Sequence, residues 1–384
     1  MSGRLARAIA SLEQGDAEAA ERGFRDVLAE RPDEARALQG LGMALHDQCR
    51  LDEAEQVFRA AEAVDRVPAL ARYHVGLLHL LRGDMAAGWP GWEERLAVPS
   101  FGHPQVPLPR WRGEPAPGKR LLVLAEQGYG DCIQFARYLP WVVRRSGARV
   151  TFGCPPPLVG LMRPFGDRHG FAAVTGKVSP GDFDLVASVC SLAGIEAAEA
   201  DSAPYLHAGA EATSTWRRRR PARQLCVGLC WEGRASHPQD GLRSLDPALL
   251  LPLAGLPGVV TVGMQRPPLR RPAAQALLQM DWGPDIADFA TAAAMLAALD
   301  VLVTVDTVLA HLAGALGVPA LVLLPRVPDW RWRLTGETTG WYPSLRLLRQ
   351  PSRGDWSSSI AAAAALLRAR TSALPLADGT AHPT

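Results

Sequence analysis

The stretch VLVTVDTVLAHLAGALG, residues 301–317, combines the two patterns that decide the fold of this chain. It begins with the apolar and β-branched residues of a buried parallel strand and continues with an Ala-rich helical sequence. Asp306 and Thr307 lie at the change between the two patterns. Because ligands of open α/β sheets bind beyond the carboxyl ends of the strands, this turn is a candidate binding site.

Similar strand–loop–helix units lie on both sides of this stretch. Apolar runs predict strands at 120–125, 148–154, 183–189, 225–231, 259–265 and 320–325. Helical sequences lie at 132–147 and 288–300. The units form two sets, which predict two Rossmann-like lobes, an N-terminal lobe over 119–210 and a C-terminal lobe over 211–370.

The N-terminal part of the chain shows an internal repeat instead. Small residues recur at Ala20, Ala54 and Gly88, and aromatic residues recur at Phe24, Phe58 and Trp92, each 34 positions after the last. A small residue lets two helices approach closely, and an aromatic residue four positions later fills the groove on the same face. This period resembles tetratricopeptide (TPR) repeats and predicts a helical repeat domain over 1–98. Such an array either binds a partner or only supports the next domain.

Two segments lack a regular pattern. Residues 99–118 are rich in Pro and Gly, which predicts an irregular linker, with Trp111 fixing it to a domain surface. The tail over 371–384 is expected to be flexible. The predicted fold class is therefore α + α/β, with TPR helices followed by two Rossmann-like lobes.

Composition narrows the possible functions. The chain has 41 Lys and Arg against 39 Asp and Glu, a net charge of +2, which argues against a general nucleic-acid binder. The 6 cysteines form no CxxC pair, so free thiols are expected rather than a disulfide framework or a zinc site. We expect a cytoplasmic protein without a transmembrane segment, because no signal-peptide pattern or long apolar run is present.

The loop EQGYGD, residues 126–131, follows the first predicted strand. Gly128 and Gly130 permit a tight turn and the close approach of a ligand. Asp131 has two possible roles, as a cap of the following helix or as a general base that takes a proton from an acceptor hydroxyl. Spacing alone does not separate them.

A second loop is the turn at Asp306 and Thr307. A helix that begins here offers N–H groups and the positive end of its dipole, which suit a diphosphate. His311 lies one turn further along, on the same helix face as Thr307. A single helical histidine is either structural or a ligand-binding group, and both interpretations stay open.

The third loop, residues 231–244, is long and polar and follows a predicted strand. Arg243 precedes an expected helix start at Ser244, where a guanidinium suits bidentate phosphate binding. His237 and Asp240 are further polar candidates. A plain surface loop is the alternative.

Three other clusters are interpreted as mainly structural. The D-x-D triplet at 182–184 begins an apolar run and is expected to cap a strand rather than to hold a metal. The four arginines at 217–220 are expected at the solvated end of a helix. The sequence PDWRW, residues 328–332, either packs beside a nucleotide or covers the core.

Taken together, these motifs resemble the family 9 glycosyltransferases, the group of ADP-heptose:lipopolysaccharide heptosyltransferases, and more closely their TPR-containing bacterial relatives. The resemblance rests on residues 88–95, 109–115, 125–140, 227–233, 287–317 and 323–332. It implies a GT-B fold, in which two Rossmann-like lobes flank a cleft, and inverting sugar transfer without a metal. Two positions depart from the family pattern, namely Cys132 and Val308, where relatives have Thr and Gly.

The resemblance also assigns roles to particular residues. Asp131 matches the catalytic base of the family, and its donor-binding segment matches Asp306, Thr307 and His311. Arg243 is the nearest match to a basic residue that contacts phosphate.

The sequence therefore predicts a glycosyltransferase that uses a nucleotide-diphosphate sugar as co-substrate and needs no other cofactor. The predicted acceptor is a protein, peptide or glycan recruited by the TPR repeats. Two alternatives remain open: a non-catalytic TPR scaffold with a degenerate ligand-binding region, and a sugar-nucleotide epimerase, which can share the fold.

Overall fold

The structure is a computed structural model that describes residues 3–195, 200, 203–235, 240–266 and 273–372. Over these residues, a helical array is followed by two parallel sheets with helices packed around them. None of the described helices is both long and apolar enough to cross a membrane.

The array consists of consecutive helices that pack against one another. They are α1 (Gly3–Glu13), α2 (Ala17–Glu30), α3 (Ala35–Asp47), α4 (Leu51–Val64), α5 (Ala69–Arg82) and α6 (Met85–Glu93). A Cβ added to Gly42 in α3 would overlap the ring of Phe58 in α4, so small and aromatic residues interlock between the helices. The carboxylates of Asp16 and Asp84 cap α2 and α6 by accepting N–H groups at 2.9 Å.

The N-terminal lobe contains a four-stranded parallel sheet in the order β3-β2-β1-β4. Its strands are β1 (Arg120–Leu124), β2 (Arg149–Gly153), β3 (Phe171–Val174) and β4 (Leu185–Ser188). In β1, Leu121, Leu122 and Val123 are fully buried, as the apolar run predicts.

The C-terminal lobe contains a six-stranded parallel sheet in the order β10-β9-β8-β5-β6-β7. Its strands are β5 (Leu225–Cys230), β6 (Val259–Gly263), β7 (Met280–Asp281), β8 (Val301–Val305), β9 (Ala320–Leu324) and β10 (Leu345–Arg349). The two doubly wound sheets confirm the prediction of two Rossmann-like lobes, the GT-B arrangement, behind a helical repeat region.

The helices of the two lobes connect these strands. They are α7 (Tyr129–Ala136), α8 (Leu139–Ser146), α9 (Val159–His169), α10 (Ala210–Arg218), α11 (Asp240–Arg243), α12 (Leu251–Ala254), α13 (Ala273–Leu277), α14 (Phe289–Leu296), α15 (Val308–Leu316) and α16 (Trp356–Ser372).

The structure corrects three predicted helix boundaries. The single helix expected over 132–147 is two helices, α7 and α8, because Pro140 has no N–H and fits only the first turn of a new helix. No helix starts at Ser244; the next helical turn begins at Pro247, after the capping residue Asp246. Residues 371–372 complete α16 and are therefore not part of a flexible tail, whereas 373–384 lie outside the described residues.

The linker is irregular, as predicted, but it is also part of the N-terminal lobe. Arg110 forms a parallel bridge with Val186 of β4, which extends the sheet at its edge. The ring of Trp111 is 3% exposed and lies 5.6 Å from the ring of Trp141. Trp111 therefore fixes the linker to the lobe surface.

The helical array packs against both lobes. Trp89 and Trp92 of α6 contact the ring of Trp330 at 6.1 and 5.4 Å. At the other end of the array, the Arg353 guanidinium donates to the carbonyl of Gly15, in the turn between α1 and α2. The array is therefore attached to the lobes along its length and does not depend on the linker alone.

Candidate functional site

Two strand-to-helix turns, one from each lobe, meet at the carboxyl ends of the sheets. Gly130 in the first turn of α7 packs directly on the ring of His311 in α15. A Cβ added at Gly130 would lie 2.8 Å from His311 Cδ2, so only glycine fits this approach. The contact brings the loop of Asp131 and the turn of Asp306 and Thr307 to one place.

Helix α15 begins directly after β8 at this meeting point. The hydroxyl of Thr307 accepts the N–H of Leu309 at 3.3 Å and caps the helix. It also lies 3.2 Å from the Thr304 hydroxyl. The structural role of Thr307 is therefore certain from the geometry, and the N-terminal N–H groups of α15 face the loops of the site.

Asp306 is buried beside this helix start. Burial, followed by the Asp329 carboxylate, raises the pKa of Asp306 to about 6, against the opposing charge of Arg243. The Arg243 charge therefore acts on this carboxyl group.

His311 is buried between aromatic rings. Its Nδ1 lies 3.1 Å from the Tyr342 hydroxyl, and its ring stacks on Trp332 at 5.2 Å. Burial, together with the charge of Arg331, lowers the pKa of His311 to about 3, so the imidazole is neutral near pH 7. His311 can offer a hydrogen bond to a ligand there, but it cannot offer a positive charge.

Asp131 lies in the first turn of α7, and the capping residue of that helix is Gly128. One carboxylate oxygen of Asp131, Oδ2, accepts the N–H of Gly128 at 2.8 Å, which supports the turn. The other, Oδ1, forms an ion pair with Arg331 of the C-terminal lobe. The cap interpretation of Asp131 therefore has a structural basis, and its second oxygen is engaged across the lobe junction.

Arg331 is the residue that links these groups; it belongs to the cluster PDWRW, but the sequence assigned it no role of its own. It is 7% exposed, pairs with Asp329 at 2.9 Å and donates to Gln134 Oε1 at 2.7 Å. The Asp329 and Asp131 carboxylates raise its pKa, so it remains cationic. The cluster PDWRW thus covers the core and also supplies the arginine that joins the two lobes.

Arg243 ends the short helix α11 rather than preceding a helix. Its Nε donates to Asp240 Oδ1 at 3.3 Å, and its guanidinium lies against Gly233. Burial raises the pKa of Asp306 and lowers that of His311, and the positive charge of Arg243 acts on both groups. His237 lies outside the described residues.

The clusters interpreted as structural are structural. Asp184 directly precedes β4 and pairs with Arg120 at 3.0 Å, which lowers its pKa to about 2. Arg219 and Arg220, at the end of α10, pair with Asp285 and Asp300. Within the described part of the chain, no group of three or more His, Cys, Asp and Glu residues is placed to hold a metal ion. The 6 cysteines are free thiols.

The class that these elements define is a TPR-containing protein with two Rossmann-like lobes. The tetratricopeptide repeat family matches residues 11–74, within the helical array. Protein FlbA of Caulobacter vibrioides is 27% identical over 401 aligned positions, which cover 90% of this chain. The chain spans 63% of the length of that relative.

Solved structures with similar architecture are glycosyltransferases. A family 9 glycosyl transferase of Veillonella parvula is 12% identical, with a TM-score of 0.47 over 68% of this chain and 100% of its own. ADP-heptose lipopolysaccharide heptosyltransferase II of E. coli is 14% identical, with a TM-score of 0.47 over 66% and 100%. Because these superpositions are loose, the architecture of this chain rests on its own strand order.

Proposed function

We propose that this protein is an inverting, metal-independent glycosyltransferase that moves a sugar from a nucleoside-diphosphate donor to an acceptor hydroxyl. The observation that carries the proposal is the contact of Gly130 with His311. It places a carboxylate of the N-terminal lobe beside a helix start of the C-terminal lobe, at the carboxyl ends of both sheets.

The C-terminal lobe would hold the diphosphate of the donor. The positive end of the α15 helix dipole and the guanidinium of Arg243 suit an anion, and the neutral imidazole of His311 adds a hydrogen bond. When the bond between the anomeric carbon and the phosphate oxygen breaks, its electron pair stays on the diphosphate. Donors fixed around that oxygen stabilise the developing charge.

The N-terminal lobe would supply the base. The acceptor oxygen attacks the anomeric carbon from the face opposite the diphosphate, which inverts the configuration, and its proton passes to Asp131. Because Arg331 holds Asp131 Oδ1, this transfer requires Arg331 to move. The phosphates of a bound donor are an alternative partner for Arg331, so donor binding would release the base.

The engaged state of Asp131 also supports the non-catalytic alternative. One oxygen of this carboxylate accepts an N–H and the other pairs with a guanidinium, so neither oxygen is free to contact an acceptor hydroxyl. In that case the two lobes would bind a nucleotide as a ligand, and the protein would act as a TPR scaffold.

A thermal-shift panel with UDP, GDP, ADP, CMP and TDP tests the donor site. A ligand at 100 times its Kd stabilises a protein by about 2.7 kcal/mol, a readily measured change. We expect one nucleoside diphosphate to stabilise wild type and Asp131→Asn, and Arg243→Met to lose most of this effect. The control is Arg346→Met, an exposed arginine of the same lobe that pairs with Glu337.

Turnover of the matching nucleotide sugar distinguishes the transferase from the epimerase and the non-catalytic scaffold. Transfer predicts nucleotide release that Asp131→Asn abolishes, whereas an epimerase would interconvert the donor sugar without an acceptor. Binding without any turnover supports the scaffold. If no nucleotide binds to the folded protein, the donor-site proposal is wrong.

A further inference from the structure

Two connected cavities lie where the helical array, the linker and the N-terminal lobe meet. The inner one, of 470 Å³, is bounded by Trp89 of α6, by the linker and by the carboxyl ends of β1 and β4. The outer one, of 800 Å³, continues along the linker. The two cavities share Glu93, Leu96, His103, Gln105 and Arg110. Because they share this part of their walls, we refer to the two cavities together as the channel; each has the size of a ligand site.

The inner cavity lies next to the loop that carries the proposed base. Glu126, five residues before Asp131, forms part of its wall. Behind that wall, the guanidinium groups of Arg95 and Arg331 lie over the Trp92 ring, at 4.7 and 5.4 Å from its centre. Arg95, which binds Glu126, and Arg331, which binds Asp131, thus lie over the same ring.

Two side chains of the cavity wall, His103 and Trp89, have a buried nitrogen without a hydrogen-bond partner among the described residues. The imidazole of His103 is 8% exposed, and its Nδ1 lies 3.1 Å from Glu126 Oε2. Since a carboxylate only accepts hydrogen bonds, Nδ1 carries the proton and Nε2 is left as an acceptor. Among the described residues, Nε2 has no hydrogen-bond partner. A buried acceptor of this kind calls for a donor, which a bound ligand would provide.

The main chain at Arg110, beside the cavities, also has backbone groups without a hydrogen bond. The N–H of Trp111 donates to Val186 O at 2.9 Å, and the N–H of Val186 donates to Pro109 O at 3.0 Å. The intervening Arg110 forms no backbone hydrogen bond within the described residues, so it presents an open sheet edge. An extended polypeptide pairs with such an edge through its own main chain.

From these features we infer that the channel binds an extended polypeptide segment, the acceptor of the proposed transfer; this inference rests on the proposed transfer function. A polypeptide fits better than a glycan for two reasons. The open edge at Arg110 matches main-chain amides, and the rings of Trp89 and Trp111, 7% and 3% exposed, leave no open aromatic face for a sugar. Arg110 also has no ion-pair partner in the described structure and is free to contact the segment.

The test uses the full-length protein and a displayed library of random peptides that contain Ser and Thr. Peptides selected on wild type are synthesised and titrated against two variants of the same linker. Gln105→Trp fills the channel, because Gln105 is exposed and lines both cavities. Pro107→Trp adds the same ring at an exposed position that lines neither cavity.

We expect Gln105→Trp to weaken peptide binding at least about tenfold and Pro107→Trp to leave it within about twofold. Hydrogen exchange should show protection over 103–112 when the peptide is bound. The inference fails if no peptide is selected, if the selected peptides bind Gln105→Trp equally well, or if an oligosaccharide array shows glycan binding that this variant alone abolishes.

The thermal-shift panel with nucleotides shows whether a failure concerns the peptide channel or the transferase proposal. Both tryptophan variants should retain the nucleotide-induced thermal shift of wild type, since neither position is near Arg243 or α15 in the site described. Nucleotide binding without peptide binding overturns the channel alone. Peptide binding without nucleotide binding overturns the transferase and leaves the docking site standing.

Discussion

At the scale of single residues, Asp306 is held where its charged form is unfavourable. It is 9% exposed at the end of β8 and has the Asp329 carboxylate nearby, while the charge of Arg243 compensates only in part. The pKa of Asp306 is consequently raised from an ordinary value of 3.8 to about 6. A carboxyl group of this kind makes stability depend on pH.

The sign of this dependence follows from the direction of the shift. The folded state favours the protonated form of Asp306. Its favourable contribution to the free energy of unfolding is therefore complete below pH 3.8 and is lost as the pH rises to about 6. We therefore expect Asp306→Asn to be more stable than wild type above pH 6, on the order of 2 kcal/mol, and the difference to shrink towards pH 4. Urea unfolding of both proteins across this range measures it.

The exposed carboxylate of Asp52 provides the control. Its side chain is 93% exposed and pairs with Arg82 at the surface, so Asp52→Asn should change the free energy of unfolding by about 1 kcal/mol or less. A pH-independent difference between wild type and Asp306→Asn would show that the carboxyl group is not perturbed as described.

At the scale of elements, the close contact between α7 and α15 depends on the absence of a side chain at Gly130. Gly130 has no positive φ, so alanine there would suit the helix and its only penalty is the collision with His311. We expect Gly130→Ala to cost about 1–3 kcal/mol in urea unfolding, as overpacked sites do. Adding His311→Ala should cost less in this background than in wild type, because the two changes share one contact.

Gly241 is the matched position for this substitution. It lies in α11, and a Cβ added there would meet nothing within 4 Å. Gly241→Ala should therefore change stability by less than about 0.5 kcal/mol. Equal effects at the two glycines would contradict the proposed interlock of the lobes.

The elements that the sequence could predict are those with a strong local pattern. Apolar runs indicated β1, β2, β4, β5, β6, β8 and β9. Three strands were missed. The strand β10 has the sequence LRLLR, in which two arginines interrupt the apolar pattern, whereas β3 and β7 have only four and two residues. The 34-residue period indicated the helical array, since each helix pair repeats the same packing.

The site was only half predictable for a different reason. Asp306, Thr307 and His311 lie within one strand–turn–helix unit, so local sequence places them together. Arg331 reaches Asp131 from 200 positions away, and Arg95 reaches Glu126 from another domain. Such pairs form only when the lobes and the array pack together. No periodic pattern in a single sequence predicts these contacts.

At the scale of the whole molecule, the array and the lobes share a buried ion pair. Arg95, just after α6, is 0% exposed and binds both oxygens of Glu126, at 2.6 and 3.2 Å. Its guanidinium also lies against Trp92. A charge buried this deeply is stable only while its partner is present, so the pair couples the folding of the array to that of the N-terminal lobe.

Replacing either partner alone should therefore destabilise the entire protein. We expect Arg95→Met to cost about 3–5 kcal/mol, because it leaves the Glu126 carboxylate buried without its guanidinium. The double variant with Glu126→Gln should cost much less than the sum of the two single changes. Arg346→Met, which removes an exposed pair, should cost about 1 kcal/mol or less.

Thiol labelling in urea shows whether this loss spreads through the molecule. Cys190 in the N-terminal lobe and Cys226 in the C-terminal lobe are both fully buried and become reactive only on unfolding. If the array and the lobes unfold as one unit, Arg95→Met moves the labelling of both thiols to lower urea by the same amount. If only the labelling of Cys190 shifts, the C-terminal lobe unfolds independently and the array stabilises the N-terminal lobe alone. In that case the Asp131–Arg331 pair would be a weaker contact between the two lobes than the Arg95–Glu126 pair is between the array and the N-terminal lobe.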